Sequence, residues 1–303
     1  MSPPNLKQNI NGILLVNKPI GLTSNAVLQQ VKRLFRAKKA GHTGSLDPLA
    51  TGMLPICFGE ATKICQYLLD ADKCYQATGL LGVKTNTADA MGDVIARTEG
   101  FIVSVEDLHT VLAQFMGQIQ QVPSMFSALK HQGKPLYKYA RAGVDIERKA
   151  RDVSIHHLGL NKFDGQSFAI TVTCSKGTYI RNLVEDIGDQ LGVGAHVTKL
   201  HRLYTAGLAE EPMYTIDALQ ALSEDELMAC LLPMDLAVNY LPRLSLSTDA
   251  ASALRQGKLV GDIAIPQMLG LVRLYENETE FMGLGELDGT GFIKVKRLLS
   301  LDS

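Results

Sequence analysis

The stretch GHTGSLDPLATG, residues 41–52, sets one carboxylate, Asp47, among three glycines and a proline. Pro48 pushes the residue before it out of the helical region. Gly44 and Gly52 permit sharp backbone turns on either side. Asp47 is therefore expected in a cleft, on a pre-shaped loop rather than on a mobile helix face. A carboxylate so held can act as nucleophile, general base or metal ligand, or simply cap its own turn. A metal site would want further acids nearby, and only Glu60 is close in sequence. The stretch matches neither G-x-x-x-x-G-K-[ST] nor G-x-G-x-x-G, and an acid at its centre repels phosphate, so a nucleotide-cradling loop is disfavoured.

Working outward, GILLVNKPIGLTSN gives a short strand over Ile13–Val16 and a turn, with Thr23 or Ser24 capping the helix that follows. Val27, Leu28, Val31, Leu34 and Phe35 share one face of that helix, and basic residues crowd its end. After the loop, the spacing predicts a helix over Glu60–Leu69 that buries Ala61, Ile64, Cys65, Leu68 and Leu69. KCYQATGLLG alternates as a strand, and a helix is expected near Val105–Phe115. QSFAITVTC is a strand. It leads through Lys176–Gly177–Thr178 into a helix with a stripe of Ile180, Leu183, Val184, Ile187 and Leu191. Arg181 lies beside that stripe. A buried carboxylate needs a partner, and arginine offers two parallel donors, so Asp47–Arg181 is the first pairing to look for.

Charge is unevenly spread. The net formal charge is −1, but Leu129–Arg151 holds seven basic residues and two acids, with Tyr137 and Tyr139 between them. That composition suits an arm for an anionic, stackable polymer, or equally a solvated insertion. Residues 203–242 carry seven acids and no Lys or Arg. Past a boundary near Tyr240–Pro242, short runs at turn spacing predict a small β-barrel of about 60 residues. The 303 residues thus allow one large core and one small domain. Five scattered cysteines with no C-x-x-C indicate neither a disulfide framework nor a zinc cluster; they read as buried small hydrophobes. No run reaches the ~18 apolar residues of a membrane span, and the N-terminal stretch has no apolar core of signal length. A soluble, cytoplasmic protein is expected.

Five collinear blocks resemble one family: VNKPIGLTSN, GHTGSLDPLATGMLPICFGEATK, KCYQATGLLGVKTNTADAMG, QVPSMFSALKHQGKPLYKYARAG and CSKGTYIRNLVEDIGDQLG. They are similar to the TruB-type pseudouridine synthases, which convert uridine 55 in the T-loop of tRNA. Ser45 stands where threonine is common, and Ser124 where a second proline often follows Pro123; neither is a proposed catalytic group. The resemblance implies an α+β fold: a mixed, largely antiparallel sheet flanked by helices over residues 1–240, with an RNA-binding insertion at about 124–152. It also implies a PUA-like β-barrel over 241–303. Asp47 matches the catalytic aspartate, Tyr75 the tyrosine that stacks on the target base and is placed to move its proton, and Arg181 the arginine that pairs with the aspartate. Tyr179 and Leu200 match residues lining the base pocket. His42 matches a histidine that displaces and stacks T-loop bases. Lys18, Lys63 and Asp89 match positions near the cleft. The chemistry so implied needs base flipping and no metal or cofactor, with Arg181 keeping Asp47 ionised. The partner is the tRNA T-arm. A monomer is expected, of the bacterial stand-alone kind rather than a guide-RNA-dependent relative, since no long basic tail is present. Two rivals remain: a non-catalytic RNA-binding module on this scaffold, and a retaining glycosidase or nucleosidase acting through Asp47.

Overall fold

The computed structural model describes residues 7–261, 269–289 and 291–300. Its centre is a mixed sheet of eight strands. In spatial order seven of them are Gly12–Lys18, Thr51–Phe58, Ala195–Thr205, Lys73–Leu81, Ser167–Cys174, Arg151–Phe163 and Gly117–Gln121; the eighth, Ala40–His42, pairs with Thr51–Phe58. Every pairing is antiparallel except one short parallel contact, His201 with Thr51 and Arg202 with Gly52. That single parallel contact brings the Asp47 loop against the middle of the sheet.

Helices cover one face. Thr23 caps the helix Ser24–Leu34 by accepting from Ala26 N, and Val27, Leu28 and Val31 bury against Leu14, Val16 and Ile56. The helix Ile180–Gln190 lays Leu183, Val184 and Ile187 on Ala77, Phe168 and Ile170, as its 3.6-residue stripe requires. Ser104 and Asp107 form a capping box at the start of Val105–Gln114, and each supplies a partner for an otherwise orphaned N–H.

One expected helix is broken. Residues Gly59–Lys63 form a 3₁₀ turn, Ile64 is off-helix at φ −113°, and an α-helix restarts over Cys65–Asp70. The break resets the angular phase, so Ala61, Ile64 and Leu68 stay buried while Leu69 turns outward and is 43 % exposed. The loop reading of residues 41–52 holds for 43–50 only, since strands occupy both flanks. All five thiols are free.

The chain after residue 242 forms a curled sheet in the order Arg243–Leu246, Gly270–Glu276, Glu280–Leu287, Phe292–Leu298, Val260–Gly261, with the helix Thr248–Arg255 packed on it. It has a core of its own around Leu246, Leu254, Val272, Leu274 and Ile293. Its other face is not free: Tyr275, Phe281, Leu284 and Leu299 share a second core with Ile13, Leu15 and Met53 of the central sheet and with Ile64, between the 3₁₀ turn and the helix Cys65–Asp70. Tyr275 Oη also donates to Asp235 Oδ2 at 2.5 Å.

Candidate active site

A cavity of about 420 Å³ opens beside the loop. Asp47, Tyr75, Tyr179, Arg181 and Leu200, which lie on four separate segments, all line it. Arg181, the second residue of its helix, has a side chain only 4 % exposed. Its Nε lies 2.9 Å from Asp47 Oδ2, and its Nη1 lies 3.5 Å from Asp89 Oδ2. The Nε–H does not point along the line to Asp47, so that contact is an ion pair without a linear hydrogen bond. Linear bonds go instead from Nη1 to Thr87 O and from Nη2 to Phe126 O, both 2.8 Å. The guanidinium is thereby fixed on three sides before it meets the carboxylate. Asp89 is fixed in turn, with Oδ1 accepting from Thr87 Oγ1 at 2.7 Å and from Met91 N at 3.0 Å.

The loop itself is held from below. Ser24, next to the capping Thr23, accepts from Leu46 N at 2.7 Å and donates to Leu46 O at 3.1 Å. Gly21 N donates to Pro48 O at 2.7 Å. Lys18, fully buried, donates from Nζ to Leu22 O at 2.6 Å, Pro19 O at 2.9 Å and Pro48 O at 3.4 Å. Gly44 has φ +73° and Gly52 has φ +98°. A Cβ on Gly52 would stand 2.2 Å from Arg202 O, so only glycine fits where the two strands meet.

Burial sets the charge states. The Asp47 side chain is 38 % exposed, because the cavity reaches it, yet the walls strip much of its hydration. That desolvation raises its pKa above the ordinary 3.8; Arg181 opposes it most, Asp89 adds to it, and Lys18 opposes it less. Arg181 therefore favours the charged form of Asp47, while burial acts the other way and prevails in the net shift. Burial brings the Lys18 ammonium down to about 8 against the pull of Asp47. Tyr75 is raised by burial, partly offset by Arg202, so its hydroxyl keeps its proton at neutral pH.

The remaining expected residues fall in different places. Tyr179 lies just before its helix, with its backbone clamped by Gln121 through N→Oε1 at 3.0 Å and Nε2→O at 3.3 Å. The Arg151 guanidinium lies over its ring at 4.8 Å. His42 sits in the short strand Ala40–His42, outside the cavity wall, with Nδ1 buried and unpartnered. Burial and then Arg202 lower its pKa below the ordinary 6.5. Lys63 also lies outside this wall; it pairs with Glu60 Oε2 at 2.5 Å, and the same oxygen accepts from Ser300 N at 2.7 Å. Lys18 and Asp89 stand behind the wall, as supports of Pro48 and Arg181.

Sequence reasoning missed Lys73, Arg151 in its wall role, Arg202 and the Ser24 clamp. Strand parity offers a signal for two of them. Tyr75 and Ala77 face inward, so Lys73 does too, and Arg202 shares its side with Leu200. A cation at an inward strand position needs an explanation. The basic segment holds a small hairpin, Lys130–His131 with Lys134–Pro135, and a short helix, Leu136–Ala140. Its links inward are Phe126 O, which accepts from Arg181, and Arg148 Nη1, which donates to Pro123 O at 3.1 Å. Among the described residues no group of three or more His, Cys, Asp or Glu could hold a metal ion, and no helix is long and apolar enough to cross a membrane.

Comparison with known proteins places this architecture. Residues 32–180 match the N-terminal domain of the TruB family pseudouridylate synthases, 181–239 the C-terminal domain of tRNA pseudouridylate synthase B, and 242–299 the C-terminal domain of pseudouridine synthase II TruB. The chain is 58 % identical over 292 residues to tRNA pseudouridine synthase B of Legionella pneumophila, covering 96 % of each. It is 50 % identical over 303 residues to the same-named protein of Aeromonas salmonicida, covering 96 % of this chain and 94 % of that one. Among solved structures, a chain of a Cbf5-Nop10-Gar1 complex superposes with TM-score 0.73 at 28 % identity, over 95 % of this chain and 84 % of that one. A chain of an H/ACA RNP bound to a substrate RNA containing 2'-deoxyuridine shares the fold at TM-score 0.72, over 95 % of this chain and 85 % of that one. A carboxylate–arginine pair at the floor of a cavity walled by two tyrosines, within matches that run almost end to end, leads to one assignment: the chain belongs to the TruB family of pseudouridylate synthases.

Proposed function

We propose that this chain isomerises uridine to pseudouridine at position 55 in the T-loop of tRNA, with Asp47 as the catalytic carboxylate. The observation that carries the reading is the Asp47–Arg181 pair at 2.9 Å, opening into the same 420 Å³ space as Tyr75, Tyr179 and Leu200. The target uridine leaves the helical stack and enters that space, as a base must before chemistry on it. Tyr75 and Leu200 sandwich the uracil, and Tyr179 closes the side. Ionised Asp47 attacks C1′ or C6, or removes the C2′ proton. The N1–C1′ bond breaks, the uracil turns, and C5 bonds to C1′. The C5 proton then leaves and N1 ends protonated, so atoms balance without a cofactor. A carboxylate beside an electron-poor C1′ follows the electrostatic logic of glycosidases. Closed walls keep water from capturing the separated pair.

The basic segment around 124–152 closes over the T-loop by phosphate contacts and stacking, His42 handles the bases displaced there, and the C-terminal sheet, PUA-like, extends the contact toward the acceptor end. The enzyme acts as a monomer in the cytoplasm. One experiment tests the reading: incubate a uridine-labelled T-arm hairpin with the protein and analyse its nucleosides. Pseudouridine is the expected product. Unchanged uridine contradicts the reading in favour of a binding module, and free uracil in favour of a glycosidase.

A further inference from the structure

Four cations line the cavity, Lys73, Arg151, Arg181 and Arg202, against one carboxylate, Asp47. Arg181 is matched by Asp47 and Asp89. The other three make no ion pair among the described residues. Arg202 is 1 % exposed and donates to Met53 O at 2.6 Å and Gly44 O at 3.4 Å, and it meets the Tyr75 hydroxyl. Lys73, also buried, spends its three protons on Leu68 O, Leu69 O and Ala71 O. Arg151 donates to Gly177 O and rests on the Tyr179 ring, while its buried Nε has no partner.

Carbonyl oxygens satisfy N–H groups but cancel no charge. Cations withdrawn from water without a counter-ion carry a desolvation cost that attraction to an anion would offset. The cost is visible at Lys73, which burial, and then Arg202, bring down to about 8. A guanidinium has five N–H donors, so Arg202 has some left over, and Arg151 has its Nε. A flipped nucleotide, if the reading above holds, brings a permanently ionised phosphodiester on each side of its ribose. We infer that this cationic wall seats a phosphodiester adjoining the flipped uridine, with Arg151 and Arg202 bonding its oxygens and Lys73 acting as a fixed charge behind them. Charge-assisted bonds of the kind guanidinium makes to phosphate are strong and directional, which fits a role in setting how far the nucleotide enters. Asp47 opposite repels the phosphate and leaves its own end of the cavity to sugar and base.

The test removes the charge from the RNA rather than only from the protein. T-arm hairpins carrying a neutral methylphosphonate 5′ or 3′ of the target uridine are compared with the native hairpin in single-turnover assays. The wild type, Arg151→Gln and Arg202→Gln are each assayed. On the wild type, one of the two substitutions should slow pseudouridine formation about tenfold, the scale of a lost charged hydrogen bond. Arg151→Gln should be slowed similarly on native RNA and lose little more on the neutral hairpin. Arg151 is partly exposed, so its variant keeps the test open should Arg202→Gln fail to fold. If neither methylphosphonate slows the wild type, or if the losses multiply instead of overlapping, the phosphate seat is wrong. A wild type that makes no pseudouridine even on the native hairpin strikes at the proposed function instead.

Discussion

The loop of residues 43–50 and the basic segment of residues 129–150 both serve one cavity, yet they are built in opposite ways. The loop carries one charge and is held by Ser24, Gly21, Lys18 and the meeting of Gly52 with Arg202. The basic segment carries six Lys and Arg between positions 129 and 150. It leans largely on its own contacts, such as Lys134 and Arg141 over Tyr139 and Tyr137. Chemistry needs a carboxylate that does not move, because a misplaced reacting group forfeits the advantage of proximity. Capture of RNA needs charges that can follow a backbone, and long solvated side chains suffice. Fixed and adaptable parts meet at one point, Arg181, which binds Asp47 through Nε and the root of the basic segment through Phe126 O.

The comparison breaks first if the loop is not as constrained as it looks. Gly52→Ala should be the most damaging change: its Cβ would overlap Arg202 O at a φ of +98°, so a loss of about 3 kcal/mol or more in stability, together with loss of activity, is expected by thermal melting and nucleoside analysis. A Gly52→Ala protein with normal melting and normal turnover would show that the two strands can part freely.

Next, replacing Lys130, Lys134 and Lys138 together with Gln should weaken T-arm binding by roughly 10-fold or more and flatten its salt slope by about 2–3, each phosphate contact contributing a slope near 0.7–0.9. Conversion at saturating RNA should remain near normal. A fall in the saturated rate would mean that the segment shapes the active site as well as capturing RNA.

The smallest effect is on pH. On the proposed reading Asp47 acts as a carboxylate, and burial raises its pKa, so kcat/KM should fall on the acid side with a midpoint above 3.8. Asp89 raises that pKa further, hence Asp89→Asn should move the acid limb to lower pH. A limb that stays put, or moves up, would show that Asp89 acts on Asp47 only through the placement of Arg181.

The sequence made some of this plain and hid the rest for identifiable reasons. The fixed placement of Asp47 was readable because its backbone constraints are local, a following proline and flanking glycines that adopt positive φ, but those constraints fit a turn cap as well as a reacting group, and only the resemblance implied a catalytic role. Arg181 was readable from its place beside a helical stripe. Arg202 and Lys73 were not: strand parity places them on the inward side, but their burial depends on pairing partners more than a hundred residues away. Ser24 looked like one of two interchangeable caps. Thr23 caps, and Ser24 grips Leu46, a contact across 22 residues. Leu69 misled because a single off-helix residue, Ile64, resets the phase of everything after it.

The central claim is that position 47 supplies chemistry and the basic segment supplies binding. It is tested most directly by measuring, for Asp47→Asn, both T-arm affinity and pseudouridine formation at saturating RNA. The account predicts affinity within about threefold of wild type, because the loop contributes no cation to the phosphates, and pseudouridine formation reduced by at least ~10³-fold. An Asp47→Asn protein that still makes pseudouridine at the wild-type rate would contradict it.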